Sequence, residues 1–188
     1  MILQILYKYN RNISRIKGLI WKYLLFSKKI SIGKSLELSS FPKLTLLGKY
    51  RLKIGDNVIL GKNLDLRIYE NSSLIIEDKC KIDDGVRIIA ANGSTVHIKR
   101  NSKIGFYSVI NGGASVEIGP DSSTYGFVYI QSSSHLSKKD GGYEKSQYTH
   151  FKVSIGKNVL IGPHSVVLPG SKIPSNTIVK AHTIKEKK

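Results

Sequence analysis

Aliphatic residues recur at every sixth position over most of this chain. Nineteen of twenty-one such positions carry Ile, Leu or Val, whereas a 40% hydrophobic chain would place about eight apolar residues there by chance. The series is Ile32, Leu38, Leu44, Ile54, Leu60, Leu66, Ile76, Ile82, Ile88, Ile98, Ile104, Ile110, Ile118, Thr124, Ile130, Ile155, Ile161, Val167, Ile173, Val179 and Lys185. This period predicts a repeated structural unit.

Two neighbouring positions of the unit follow the same period. The residue after the aliphatic position is often Gly, which accepts the backbone conformation of a tight corner. The residue two before it is often small or β-branched, as at Val58, Val96 and Ser165. Two inward residues separated by one outward residue give the period of a β-strand. Each unit therefore predicts one short strand followed by one corner.

Three units predict one coil of a β-solenoid, because so short a strand buries its face only when it is stacked on another. The seven coils begin at Ile32, Ile54, Ile76, Ile98, Ile118, Ile155 and Ile173. The early coils carry four extra residues at their third corner, and one coil carries nineteen between Ile130 and Ile155. Long loops in compact domains are often functional, so the site is predicted at the inserted loop 131–154.

Residues 1–29 lie outside this series and are predicted to form a separate amphipathic basic helix, with 30–188 as the β-helix domain. Its apolar positions recur at helical spacing: Ile2, Leu6, Tyr9, Ile13, Ile16, Ile20 and Tyr23. Its basic residues include Lys8, Arg11, Arg15, Lys17 and Lys22, and no acidic residue precedes Glu37. Two roles are open: contact with an anionic membrane surface, or packing on the β-helix as a cap. No stretch is long and apolar enough to predict a membrane span.

The net charge of +17 raises the question of nucleic-acid binding. No nucleic-acid-binding motif accompanies it, so no nucleic-acid partner is expected. A basic surface also suits the phosphates of coenzyme A, an acidic polysaccharide or a membrane-linked acceptor. The single cysteine, Cys80, stands two before Ile82 at the small inward position, which predicts a buried thiol.

The pattern resembles the hexapeptide-repeat acyltransferases. The segment Ile155-Gly156-Lys157-Asn158-Val159-Leu160, followed by a second unit at 161–166, matches that family's motif best. The resemblance covers residues 32 to 184 and implies a left-handed parallel β-helix that is usually trimeric. The hand comes from the resemblance alone, since general crossover rules give the opposite hand.

His135 stands at the base of the inserted loop. A transfer from a thioester to a hydroxyl needs a base that accepts a proton near neutral pH, and histidine does so without perturbation. In sugar O-acetyltransferases similar to this chain the catalytic histidine lies at the corresponding point. We therefore predict His135 as the general base, with acceptor contacts from nearby Gln131, Ser134, Tyr148 and His150. The candidates for orienting His135 or the acceptor are Asp140, Tyr143, Glu144 and Tyr148.

The resemblance also implies an acetyl-CoA site on the last coils of adjacent subunits. Carried onto this chain, it falls on Gly162, Pro163, Lys180 and Ala181, with Lys180, Lys185, Lys187 and Lys188 as phosphate partners. This chain departs from the family at Leu160, where relatives often have an aromatic residue. Many relatives also continue beyond the last coil with a Gly-Ser-Pro-Ala tail, which residues 1–188 do not contain.

Other β-helix functions fit the residues less well. The γ-type carbonic anhydrases hold zinc with three histidines, two of them five residues apart, and no two histidines here have that spacing. No metal is therefore expected, and His97 and His182 are predicted as surface residues. An ice-binding face needs regular outward threonines, whereas the outward residues here are mixed. A non-catalytic scaffold stays open but leaves loop 131–154 unexplained.

Together these features predict a homotrimeric, cytoplasmic acetyl-CoA-dependent O-acetyltransferase, with peripheral membrane contact if the helix provides it. The expected acceptor is a sugar hydroxyl of a bacterial surface polysaccharide, such as capsule, O-antigen or exopolysaccharide, or a nucleotide- or lipid-linked precursor. Direct transfer is expected because Cys80 is predicted to be buried. The alternative is an N-acyltransferase acting on an amino-sugar nucleotide.

Overall fold

The computed structural model describes residues 2–138 and 140–187, without the side chains of residues 2, 3 and 5–7. Helix α1 spans Ile2–Leu24 and is followed by strands numbered β1 to β23 in chain order. Twenty-one of these strands form three parallel seven-stranded sheets, and the other two form a separate hairpin. The fold is therefore the predicted β-helix of seven coils, with one strand of each sheet in every coil.

The strands of one sheet come from successive coils. The first sheet contains β1 Ile30–Ile32, β4 Tyr50–Ile54, β7 Ser72–Ile76, β10 Thr95–Ile98, β13 Val116–Ile118, β18 Val153–Ile155 and β21 Lys172–Ile173. The second contains β2 Glu37–Leu38, β5 Ile59–Leu60, β8 Lys81–Ile82, β11 Lys103–Ile104, β14 Ser123–Thr124, β19 Leu160–Ile161 and β22 Ile178–Val179. The third contains β3 Lys43–Leu47, β6 Asp65–Tyr69, β9 Arg87–Ala90, β12 Val109–Gly112, β15 Tyr129–Gln131, β20 Val166–Val167 and β23 Ile184–Lys185.

The six-residue series forms the core. Its members pair with one another from coil to coil, as Ile54 does with Ile76 and Leu60 with Ile82. Except for Leu44 and Lys185, which are partly buried, these side chains are buried, so each coil covers the apolar face of the next. Thr124 is the buried polar member of the six-residue series, and its hydroxyl oxygen accepts the Gly105 N–H at 2.9 Å. The threonine thus gives a buried backbone N–H group its hydrogen-bond acceptor, which an aliphatic side chain does not provide.

The four extra residues of the early coils lie at the third corner, where the sequence places them. They lengthen strands of the third sheet and of the first, and only a tight turn at Glu70 and Asn71 separates β6 from β7. Ile68 and Ala90 pair with each other and are completely buried. The early coils are therefore wider than the late ones because added inward residues enlarge the core.

Helix α1 packs against the first coil, as the capping alternative predicts. Trp21 is 5% exposed, and a Cβ on Gly18 would lie 2.0 Å from the Leu36 carbonyl oxygen. The guanidinium groups of Arg11 and Arg15 donate to the same carboxylate oxygen of Glu37, at 2.8 and 3.1 Å. Gly18, Trp21 and basic residues therefore form the docking face. The predicted apolar positions Ile2 and Leu6 lie outside the described side chains.

Four rings stack along one corner of the solenoid. Tyr107, Phe127, His164 and His182 have centroids 5.6, 5.0 and 5.1 Å apart, with planes within 16° of parallel. Each stands three residues after a member of the six-residue series, so the coil spacing brings them into register. His182 is exposed as predicted, whereas His97 is partly covered and contacts Glu77 at 2.7 Å.

Candidate active site

The inserted segment is an antiparallel hairpin. Within the inserted loop 131–154, strands β16, Ser133–Ser137, and β17, Tyr143–His150, pair with each other. The hairpin is fixed at its base by Ser132, which is fully buried and whose hydroxyl contacts the Ala114 carbonyl oxygen at 2.6 Å. The Phe151 N–H donates to the Ser132 carbonyl at 2.8 Å. The segment therefore has a rigid attachment to the core, as a site requires.

Cross-strand pairing places His135 on one face of this hairpin together with three other side chains. Ser133 pairs with His150 and His135 with Tyr148, and paired residues point to the same side of an antiparallel sheet. The His135 ring lies 4.3 Å from the Tyr148 ring and 5.0 Å from the Tyr143 ring, centroid to centroid. Two aromatic contacts hold an otherwise exposed imidazole in one orientation.

A hydrogen bond defines the proton arrangement of that imidazole. The Nδ1 atom of His135 lies 3.1 Å from the backbone carbonyl oxygen of Glu144. A carbonyl only accepts, so Nδ1 carries the proton and Nε2 has the free lone pair. This is the tautomer that a general base needs when it takes a proton at Nε2.

The residues predicted to orient His135 or the acceptor differ in whether their main chain or their side chain contacts His135. Glu144 contacts His135 through its main chain, while its carboxylate lies 3.8 Å from the Lys138 ammonium. Tyr143 and Tyr148 contact it through their rings. Asp140 is exposed at the turn between the two strands. No carboxylate of the described residues is hydrogen-bonded to His135, and a main-chain acceptor takes that place.

A cavity of about 350 Å³ lies against the same face of the hairpin. It is lined by Ile89, Ala91, Asn92, Asn111, Gly112, Gly113, Ser133, Tyr148 and His150. None of these side chains is a carboxylate, an ammonium or a guanidinium. Amides, a hydroxyl and aromatic rings offer neutral hydrogen-bond partners and stacking surfaces, which suit a sugar ring.

The predicted acceptor contacts take different places around this cavity. Tyr148 and His150 line it. Ser134 lies on the opposite face of the hairpin, where its hydroxyl is 3.0 Å from that of Thr149. Gln131 ends β15 and pairs with Asn111, outside the lining. The structure therefore brings two of the four predicted contacts to one cavity.

Sequence reasoning missed the wall that the preceding coil contributes. A Cβ on Gly113 would lie 2.4 Å from the Ser133 hydroxyl and 3.5 Å from Nδ1 of His150, so only glycine lets the hairpin approach so closely. The signal was the Gly112-Gly113 pair directly after Asn111. This glycine pair indicates a close contact only once it is known that its coil lies beside the hairpin.

The residues predicted to bind coenzyme A lie at another corner. Gly162 and Pro163 follow β19, and Lys180 and Ala181 follow β22 on the next coil. These pairs are in contact, since the His182 N–H donates to the Pro163 carbonyl at 3.0 Å and a Cβ on Gly162 would meet the Ala181 nitrogen at 2.5 Å. A strand of the third sheet separates this corner from the hairpin. At about 3.3 Å per residue, the five or six residues between this corner and the base of the hairpin span roughly 15–20 Å within one chain.

Two other groups bear on the chemistry. Burial raises the pKa of the Cys80 thiol to about 11, and its side chain is completely buried, so it is a poor nucleophile. Within residues 2–138 and 140–187 no three His, Cys, Asp or Glu side chains lie close enough together to bind a metal ion.

No protein-family model matches this chain, and no curated protein matches it. Among solved structures, the polysialic acid O-acetyltransferase OatWY is similar with a TM-score of 0.53 at 21% identity, over 84% of this chain and 79% of that one. A mutant of AntD, an N-acyltransferase from Bacillus cereus, in complex with dTDP-4-amino-4,6-dideoxyglucose and coenzyme A, has a TM-score of 0.46 at 18% identity, covering 82% and 71%. The polySia-specific acetyltransferase NeuO has a TM-score of 0.40 at 16% identity, covering 82% and 81%. The likeness to OatWY supports the hexapeptide-repeat resemblance at the level of the fold.

Proposed function

We propose that this β-helix is an acetyl-CoA-dependent O-acetyltransferase that acts on a sugar hydroxyl of a surface polysaccharide or its precursor. One observation carries the proposal. His135, whose Nδ1 donates to a main-chain carbonyl, lies on the hairpin face that also borders a cavity lined by no carboxylate, ammonium or guanidinium group. A base that is hydrogen-bonded through Nδ1, beside a cavity of about 350 Å³ without Lys, Arg, Asp or Glu side chains, is the minimum that hydroxyl acylation of a sugar requires.

The reaction follows from the free lone pair on Nε2 of His135. The acceptor hydroxyl gives its proton to Nε2 as its oxygen attacks the thioester carbonyl carbon. The tetrahedral intermediate then collapses, the carbon–sulfur bond breaks, and the sulfur leaves with the proton from Nε2. No covalent enzyme intermediate forms, which agrees with the buried, high-pKa thiol of Cys80.

The cavity favours a neutral acceptor unit. Its lining has no Lys or Arg side chain, although the chain as a whole has thirty. A sugar carboxylate bound there would lose water without gaining a Lys or Arg partner, which is costly. Tyr148 and His150 instead offer ring faces, and Asn92 and Asn111 offer amides for hydroxyl groups.

The donor site is proposed to form between chains of a homotrimer. One corner holds Gly162, Pro163, Lys180 and Ala181, and Lys180 is exposed there. A strand of the third sheet separates this corner from His135 in the same chain. A neighbouring copy supplies this corner to the hairpin without requiring either to move. A cytoplasmic location is part of the proposal, because acetyl-CoA is the donor.

The test measures free thiol released from acetyl-CoA with neutral and acidic oligosaccharides. Wild type is compared with His135→Ala and with His97→Ala, which changes a histidine of the first sheet. We expect release to depend on a neutral oligosaccharide, to fall about 100-fold or more in His135→Ala, and to persist in His97→Ala. Turnover with amino-sugar nucleotides alone would replace the proposal by the N-acyltransferase alternative, and absence of coenzyme A binding would replace it by the scaffold.

A further inference from the structure

Helix α1 has a second face, opposite its docking face, that packs on nothing in the described chain. It exposes six large apolar side chains: Tyr9 62%, Ile16 56%, Leu19 55%, Ile20 46%, Tyr23 78% and Leu24 73%. Phe26 continues the surface just past the helix at 92% exposure. Exposing so many neighbouring apolar groups to water is unfavourable and marks an interaction surface.

The docking contacts determine which face is free. Gly18 and Trp21 point to the first coil, and Arg11 and Arg15 bond Glu37 there. In many amphipathic helices of globular proteins the apolar stripe faces the core and the charged side faces solvent. Here the basic side is used for docking. The apolar stripe is therefore held outward, and a simple packing role for it is ruled out within the described residues.

The charge around this stripe points to an anionic partner. Residues 1–36 contain eight Lys and Arg residues and no Asp or Glu. Lys8, Lys28 and Lys29 are exposed on or just after the helix, whereas the Lys22 ammonium donates to the Gly33 carbonyl of the first coil at 3.3 Å. A second copy of the chain docked by this face would bring the lysines beside the two apolar stripes close together. An anionic lipid surface has the opposite sign.

The shape also fits a bilayer. The apolar residues form a convex row along a 23-residue helix, which is about 35 Å long, and not a groove that would receive another helix. Such a helix inserts its apolar face to the level of the acyl chains and keeps its lysines among the headgroups. No helix among the described residues is long and apolar enough to cross the membrane.

We propose that helix α1 is an interfacial anchor that holds this protein on anionic lipid through Tyr9, Ile16, Leu19, Ile20, Tyr23 and Leu24. The inference is independent of the chemistry at His135. It places the solenoid on a membrane surface with its axis fixed by the docking of α1 to the first coil. An acceptor attached to a lipid is then held on the same surface.

The experiment sediments the full chain with phosphatidylcholine vesicles that contain or lack phosphatidylserine. The variant Ile16→Ser/Ile20→Ser/Tyr23→Ser removes the centre of the free face. The matched control, Ile178→Ser/Ile184→Ser, removes two apolar side chains that are 74% and 66% exposed in the last coil. Trp21 is the single tryptophan, so its fluorescence reports whether α1 stays docked.

We expect wild type and control to bind phosphatidylserine vesicles at low salt and to dissociate at high salt, as charge attraction requires. The triple variant should bind at least about tenfold more weakly than wild type, and its tryptophan emission should be unchanged. Equal binding by the triple variant overturns the proposal. A second result also overturns it: wild type binds no vesicles, and the triple variant differs from wild type in oligomeric state, measured by light scattering. The free face of α1 would then join copies of the chain.

Discussion

The Nδ1 atom of His135 lies 3.1 Å from the backbone carbonyl oxygen of Glu144 on the opposite strand of the hairpin. Because the acceptor is main chain, it does not titrate and does not depend on the Glu144 side chain. The hairpin itself therefore selects the tautomer of the proposed base. In many enzymes a carboxylate does this, and its loss leaves the wrong tautomer.

We expect Glu144→Ala to be nearly silent in catalysis. The variant removes the carboxylate but keeps the carbonyl that His135 contacts, so kcat should change by less than about threefold, compared with about 100-fold for His135→Ala. Steady-state thiol release measures both. A loss in Glu144→Ala as large as that of His135→Ala would show that the carboxylate orients the base after all.

Tyr148 should act through its ring and not through its hydroxyl. The ring contacts His135 at 4.3 Å between centroids and lines the adjacent cavity. An aromatic contact contributes about 0.5–1.5 kcal/mol, so Tyr148→Ala should lower kcat/KM by about tenfold. Tyr148→Phe keeps the ring and should stay close to wild type. An equal loss in both variants would indicate that the phenol hydroxyl is the essential group.

Gly113 should be intolerant of a side chain for a local reason. A Cβ there would lie 2.4 Å from the Ser133 hydroxyl and 2.9 Å from the Ser133 Cβ, so Gly113→Val must displace the hairpin. We expect activity to fall about tenfold or more while the circular dichroism of the coils stays unchanged. Gly93→Asn is the control, because a Cβ at Gly93 meets nothing within 4 Å and asparagine tolerates its φ of 70°. A fully active Gly113→Val would show that the hairpin position is not critical.

Thr124 should be required for stability although an aliphatic residue fits the six-residue series. Its hydroxyl oxygen accepts the Gly105 N–H at 2.9 Å, and the side chain is 4% exposed. Thr124→Val leaves that donor without the hydroxyl and should lower the free energy of unfolding by about 1–3 kcal/mol. Denaturant titration measures the loss, and Thr124→Ser should recover part of it. A valine variant as stable as wild type would show that Gly105 finds another acceptor.

Glu117 should make the hairpin base sensitive to acid. Its carboxylate bonds the ammonium groups of Lys152, at 2.7 Å, and Lys99. These bonds lower the pKa of Glu117 from 4.5 to about 2. Since the folded pKa is the lower one, the ion pairs stabilise the fold fully above about pH 4.5 and lose this effect as the pH falls towards 2.

The side chain of Glu117 is 32% exposed, so water weakens this contribution to about 1–2 kcal/mol. Glu117→Gln should unfold at a lower temperature than wild type at pH 7, and the difference should shrink as the pH falls towards 3. Thermal unfolding across this pH range is the measurement. A constant difference would mean that packing of Glu117, and not its charge, stabilises the base.

Much of the fold was predictable because a solenoid repeats one local rule. Ile54, Ile76 and Ile98 lie above one another for the same reason that they recur in sequence, since each strand must cover the face of the last. The helix at the N-terminus followed from its three- and four-residue spacing. The hairpin did not follow, because its strands are polar and exposed on both faces and show no alternation of apolar and polar residues.

The sequence by itself determined the seven coils, the inward residues and the insertion that carries His135, because these depend on contacts between residues at a constant spacing. Only the tertiary structure decided what surrounds His135. The main-chain bond to Glu144, the ring of Tyr148 and the close approach of Gly113 join segments whose separation follows no period. It also decided which side of α1 is free. A helical pattern identifies two faces, but the docking of Gly18 and the pairing of Arg11 and Arg15 with Glu37 determine which one meets the core.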